Sequence, residues 1–191
     1  MKELSLHILD IVQNSLKANA TLIKIKIIED FINDRLIIDI EDNGKGMSSE
    51  FLKTVTDPFV TTRNTRKVGL GISLLKATAE QCEGSLKVES EEGKGTRIHA
   101  TFKHSHIDRA PLGSIEDTLV TLLITSEEAM DGEGEKSTVE YIYEHQINNR
   151  SFVFDTREVK KILEGTPIND FEILDWIKGY VKENIETLVK S

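Results

Sequence analysis

The sequence predicts an α+β fold, a two-layer α/β sandwich with helices over a mixed sheet, followed by a smaller C-terminal β-β-β-α-α unit. Three observations carry this. Apolar residues recur at helical spacing near the start, isoleucine-rich runs alternate at strand spacing directly after, and hairpin-type strands then interleave with a glycine-bracketed helix.

From Glu3 to about Asn19, the residues Leu4, Ile8, Leu9, Ile11, Val12 and Leu16 share one arc of a helical wheel, so this helix packs on something. "LIKIKIIE" at 22–29 and "RLIIDIE" at 35–41 alternate as half-buried strands do. "SSEFLKTV" is a short helix opened by serine, and the polar stretch "DPFVTTRNTRKV" follows it. "GLGISLLKATAEQCEG" is a helix between glycines, and "SLKVESEEGKGTRIHATF" reads as strand, glycine turn and strand. The segment "KHSHIDRAPLG" combines Pro and Gly without periodicity, which places a boundary between His104 and Ser114 and divides the chain into 1–106 and 107–191. Beyond it, "DTLVTLLIT", "TVEYIYEHQI" and "SFVF" read as strands, and "TREVKKILEG" and "DFEILDWIKGYVKENIETLVK" as amphipathic helices.

Composition narrows the classes of function. A single cysteine, Cys82, excludes an internal disulfide and CxxC metal clusters. The first residues carry acids and amides where a signal peptide is apolar, and no run approaches the apolar length of a membrane span, so a cytoplasmic location is expected. Residues 1–106 hold 15 basic and 15 acidic side chains, whereas 107–191 hold 9 and 18, so the whole net charge of −9 lies in the second part. Such a surface repels phosphate backbones. Nucleic acid is therefore a poor partner, and a protein docking on the acidic part is expected.

Several short motifs can carry chemistry. On the first helix, Asn14 and Lys17 lie about 40° and −20° from Asp10 at 100° per residue, so an acid, an amide and an ammonium share the face opposite the apolar arc. "DNGKGM" at 42–47 ends a strand and reads first as a turn, because Asn43-Gly44 accepts positive φ. "VGLGIS" puts Gly69 and Gly71 at a helix N-terminus, where free N–H groups attract an anion such as phosphate. "GKGT" at 93–96 reads as a hairpin turn. The run "GEGEKS" at 132–137 lacks P-loop spacing and sits among acids that repel phosphate.

In order and spacing, "DIVQNSLKA", "DNGKGM", "DPFVTTR", "GLGIS" and "GKGTRIHATF" resemble the N, G1, F, G2 and G3 boxes of the GHKL ATPases, the family of gyrase, Hsp90-type chaperones, histidine kinases and MutL. The resemblance covers about 1–103 and is nearest to histidine-kinase catalytic domains, since Lys17 stands where gyrase and MutL usually carry an acid. It implies the GHKL (Bergerat) fold with ATP and Mg²⁺ as cofactors. It also implies that Asn14 is a magnesium ligand, that Lys17 contacts phosphate, and that Thr96 helps hold Asp42 and a water at the adenine. Met47, Leu70, Gly69 and Gly71 belong to the same nucleotide set. Phe59 matches the F box, and Val60 to Val68, with Arg63, Arg66 and Lys67, matches the ATP lid. In that role the Asp42 carboxylate, an acceptor only, suits the exocyclic amine of adenine and repels the guanine carbonyl, which selects ATP over GTP. Gly44 and Gly46 are then expected to let the backbone pass close beside the base.

Two departures temper the resemblance. Where gyrase, MutL and the anti-sigma kinases place a catalytic glutamate, this chain has Asp10, one methylene shorter, which shortens its reach as a base. A helical hairpin carrying a phosphoacceptor is not expected within this sequence, and His7, His104 and His106 read as exposed histidines. The expected function is a Mg-ATP-binding, histidine-kinase-like domain that phosphorylates or signals to a separate protein. The alternatives are a non-catalytic ATP sensor and a slow dimerising ATPase of MutL type, the last disfavoured by Lys17.

Overall fold

In the computed structural model, which describes residues 2–56, 70–127 and 138–190, the isoleucine-rich runs become the middle of a six-stranded sheet. The strands are β1 (Leu22–Asp30), β2 (Arg35–Asp42), β3 (Ser85–Glu91), β4 (Gly95–Lys103), β5 (Glu140–Ile147) and β6 (Arg150–Asp155), in the order β3-β4-β2-β1-β5-β6. Alternation fixes the faces. Ile23, Ile25 and Ile27 of β1 and Leu36, Ile38 and Ile40 of β2 are buried on one side. On the other side Asp39 binds the Arg97 guanidinium and the His99 ring.

Helices α1 (Leu4–Lys17), α3 (Leu70–Gln81), α4 (Ile115–Glu127) and α6 (Phe171–Lys190) cover the apolar face, with short helices α2 (Ser49–Leu52) and α5 (Thr156–Ile162) at its ends. α1 needs no side-chain cap. Its first free N–H groups, at Leu4 and Ser5, donate to the carbonyls of Pro111 and Leu112 at 3.0 and 2.8 Å. The segment whose Pro and Gly content suggests a boundary is thus the cap of the helix that carries Asp10 and Asn14.

Three expectations change accordingly. "DTLVTLLIT" is not a strand but most of α4, so the second part runs α-β-β-α-α. Its threonine hydroxyls donate back along the helix, Thr118 to Ser114 and Thr121 to Asp117, and this local satisfaction lets a β-branched run stay helical. The second part also does not keep a core of its own. β5 pairs in parallel with β1 from Leu22↔Glu140 to Glu29↔Ile147, and Tyr141, Tyr143, Leu119 and Leu122 are buried in one cluster with Leu4, Ile8 and Ile23. The physical reason is that β1 would otherwise expose an apolar sheet edge.

Histidines supply the third change. His7 is buried, with its Nε2 at 3.5 Å from the Thr78 hydroxyl and its Nδ1 unpartnered. Burial holds its pKa below the ordinary histidine value. His104 is also largely covered: its Nε2 and that of His145 each lie 2.9 Å from one oxygen of Glu29, and His145 Nδ1 meets the Tyr143 hydroxyl at 2.6 Å. The Glu29 carboxyl stays below its usual range because these two imidazoles outweigh its burial. His106 is half-buried, 3.7 Å from Glu83.

Candidate functional site

The site forms where the C-terminal half of α1, the end of β2 and the hairpin end of β3–β4 meet. Helical spacing on α1 brings Asp10, Asn14 and Lys17 to one face, as the wheel predicts, and together with Gln13 they line a cavity of about 220 Å³ against Leu70 and Gly71. Gly71 sits in the first turn of α3, and a Cβ there would lie 3.4 Å from the Asp10 Cβ and 3.9 Å from the Asn14 amide nitrogen. The start of a twelve-residue helix therefore faces the acid and amide of α1, with the free N–H groups and positive dipole end that favour an anion.

An adjoining cavity of about 390 Å³ lies deeper, within the range of small-molecule sites. Ile11, Met47, Val55, Ile72 and Ile98 give it apolar walls, and Asp42, Thr96, Ser15 and Lys45 supply polar groups; Asn14 and Lys17 line both cavities. Asp42 ends β2 and is half-buried. Its Oδ1 accepts the Gly44 N–H at 2.8 Å and its Oδ2 accepts the Ser15 hydroxyl at 2.6 Å. Both oxygens are thus oriented, and each keeps a further lone pair.

Gly46 of "DNGKGM" lines the larger cavity, and protein packing also constrains both glycines of this loop. A Cβ on Gly44 would stand 2.9 Å from the Cβ and carbonyl oxygen of Ala18. On Gly46, whose φ is +67°, it would stand 2.0 Å from the Glu91 carbonyl oxygen. The close approach is therefore to protein, to the end of α1 and to the β3–β4 turn, because the loop is wedged between them. Gly95 has the same role beneath Asp42, whose carbonyl oxygen would lie 1.9 Å from a Cβ there.

Thr96 pairs with Asp42 in the β2–β4 ladder, while its hydroxyl shares a 2.9 Å hydrogen bond with Ser90 Oγ. Ser90 also accepts the Met47 N–H at 2.9 Å and lies 2.9 Å from the Gly95 carbonyl. It joins the "DNGKGM" loop to the hairpin that bears Thr96. Phe59, Arg63, Arg66, Lys67 and Gly69, with the whole of Val60–Val68, lie outside the described residues.

Sequence reading missed Ser15 and Ser90. A signal existed for Ser15, which falls about 140° from Asp10 on the wheel, inside the apolar arc. A hydroxyl there is 3 % exposed and needs a polar partner, and Asp42 is that partner. Ser90 had no such signal, since Gly95 and Thr96 face it only across the β3–β4 hairpin and Met47 comes from a distant loop.

Comparison with known proteins gives the family. Residues 2–106 match the family described as histidine kinase-, DNA gyrase B- and HSP90-like ATPase. Sporulation kinase E of Bacillus subtilis is 42% identical over 69 residues, which are 36% of this chain and 9% of that protein. The sensor kinase CckA of Brucella abortus is 37% identical over 88 residues, 44% of this chain and 9% of its own. The sensor histidine kinase ZraS of Salmonella typhimurium is 40% identical over 62 residues, 32% and 13% respectively. The chain thus spans a small fraction of the length of these curated relatives. The family match covers more than half of the 191 residues, and its extent takes in β1 to β4, α1 and α3, which build the cavity. The chain belongs to the histidine kinase-, DNA gyrase B- and HSP90-like ATPases, with a histidine-kinase-type ATP-binding domain over residues 2–106.

Proposed function

We propose that the chain binds Mg-ATP and phosphorylates, or signals to, a separate protein. The observation that carries this reading is the Asp42 carboxylate, held by Ser15 and Gly44 on the wall of an apolar cavity that adjoins the face bearing Asp10, Asn14 and Lys17. An acceptor-only group on an apolar wall fits an aromatic base with an exocyclic amine. The α3 N-terminus and the Lys17 ammonium fit the phosphates.

The donors also suit magnesium, which takes few protein oxygens and leaves the remainder to phosphates and water. Asn14 would hold it, and the ion when bound would neutralise phosphate charge. Asp42 selects adenine, Lys17 draws the triphosphate toward α1, and Asp10 takes the proton from the attacking hydroxyl, imidazole or water. Asp10 is exposed, so partner or solvent can reach it. His7 is not a phosphoacceptor in this reading, because it is buried between α1 and α3. The acidic second part, joined to the same sheet, offers the protein-docking surface.

A second reading, a nucleotide sensor without phosphotransfer, is favoured by Asp10 itself, whose side chain is shorter than the glutamate of the gyrase branch. Incubation with γ-labelled ATP and a co-purifying protein separates the two. Phosphotransfer that Asp10→Asn reduces at least 100-fold, with ATP affinity within threefold of wild type, supports the kinase reading. Tight ATP binding with no transfer and no hydrolysis leaves the sensor.

A further inference from the structure

We propose that the outer edge of β6, with the aromatic ledge of α6 beside it, is a docking strip for an extended protein segment rich in lysine or arginine. The proposal names the partner chemistry for the protein-docking part of the preceding reading and rests on that part.

Among the described residues, the edge is open in a specific way. The Glu140 N–H of β5 donates toward β1, to Thr21, while the Tyr141 N–H donates toward the β6 side, to Thr156. Alternation then turns Tyr143, His145 and Ile147 to β6, where they pair with Phe154, Phe152 and Arg150. The N–H and C=O groups of Ser151 and Val153 point outward instead, and no strand among the described residues pairs with them. Val153 is 53 % exposed. Proteins usually blunt such an edge with lysine, proline or a bulge. β6, "RSFVFD", has no lysine or proline and an unbroken register, whereas β3 at the opposite edge carries Lys87, Glu89 and Glu91.

The ledge stands over that edge. Lys178 ties one flank of α6 to Asp117 of α4, and Trp176 lies about 200° round the helix from it, on the flank away from α4. Tyr180 on this flank meets Phe152 of β6 edge-on at 5.6 Å, and Trp176 stacks on Tyr180 at 5.1 Å with the rings 11° from parallel. Trp176 remains 49 % exposed, a large aromatic with one free face. Exposed carboxylates bracket the pair one turn away at each end, Glu172 before Trp176 and Glu183 after Tyr180.

An aromatic face between two carboxylates favours a cation laid across it. A free strand edge favours an extended backbone, whose alternate side chains reach the ledge. A second copy of this chain would bring the same acids to the same place, so like-charge repulsion opposes self-pairing.

Trp176 is the sole tryptophan, so its emission reports the ledge directly. The probe is an acetylated, amidated eight-residue peptide of alternating lysine and valine, titrated into the full chain, with an alternating glutamate–valine peptide as reference. The lysine peptide should change Trp176 emission saturably, and the glutamate peptide should not. Glu172→Lys combined with Glu183→Lys should weaken the lysine peptide at least tenfold. Val153→Pro, which removes an outward N–H and spares the bonds to β5, should do the same. Should the proline variant unfold, the surface charge variant carries the test alone. ATP binding, measured on the same samples, should stay unchanged throughout. Equal response to both peptides, or no saturable response from a wild type that binds ATP, overturns the proposal. So does a dimer in sedimentation that Val153→Pro splits. Peptide binding without ATP binding would overturn the nucleotide reading and leave this one standing.

Discussion

Replacing Gly46 with alanine tests whether the glycines of "DNGKGM" serve protein packing. Gly46 has φ +67°, where an L-residue costs about 1–2 kcal/mol. The added Cβ would also lie 2.0 Å from the Glu91 carbonyl oxygen and 2.7 Å from its carbon, and neither is the end of a flexible side chain. Relief requires the loop to part from the hairpin, which breaks the 2.9 Å bond from Met47 N–H to Ser90 and the 2.8 Å bond from Gly93 N–H to the Lys45 carbonyl. At about 1 kcal/mol for each bond, the total loss is about 3–4 kcal/mol. Gly93 is the internal control, since its φ is +78° but a Cβ there meets nothing within 4 Å. Gly93→Ala should therefore lose only the conformational term of about 1–2 kcal/mol. Urea denaturation of both variants reads the difference. Equal losses would show that the steric account of Gly46 is wrong.

Two further outcomes follow from the core and from His7. A fragment of residues 1–106 should be insoluble or unfolded by circular dichroism, because it loses the α1 cap from Pro111 and Leu112 and the β5 partner of β1; a soluble fragment with full ATP affinity would contradict the shared core. His7 is kept neutral by burial, so the unfolded chain takes up the proton first: its contribution is fully present above the ordinary value of 6.5 and declines as pH falls below it. The stability of His7→Gln should fall less than that of wild type between pH 7 and 5.5, and parallel curves would count against the buried neutral ring.

Local signals in the sequence were enough for much of this structure. The isoleucine alternation gives β1 and β2 with their faces, and the N-terminal wheel gives the shared face of Asp10, Asn14 and Lys17. Thr, Val and Ile over 117–125 suggest a strand where α4 lies. Its periodicity begins two residues earlier, at Ile115, and continues through Leu119, Leu122 and Ser126. The capping sequence Ser114-Ile115-Glu116-Asp117 was a readable clue: the Asp117 N–H donates to Ser114 Oγ and that hydroxyl donates back to Asp117. The β1–β5 pairing had no local signal, since it joins Leu22 to Glu140 across most of the chain. The covered histidines also lack a local signal, because His7 meets Thr78 of α3 and His104 meets Glu29 of β1 only in the folded chain.

The central claim is that the Asp42 carboxylate recognises the adenine amine. Calorimetric titration of Mg-ATP and Mg-GTP into wild type and Asp42→Asn tests it most directly, since the substitution keeps shape and removes the charge. A hydrogen bond to a charged group contributes about 1.5–3 kcal/mol, so ATP should bind roughly 10- to 150-fold more weakly to Asp42→Asn, and the preference for ATP over GTP should narrow. Unchanged ATP affinity in a folded Asp42→Asn variant, or equal binding of ATP and GTP by the wild type, would contradict the account.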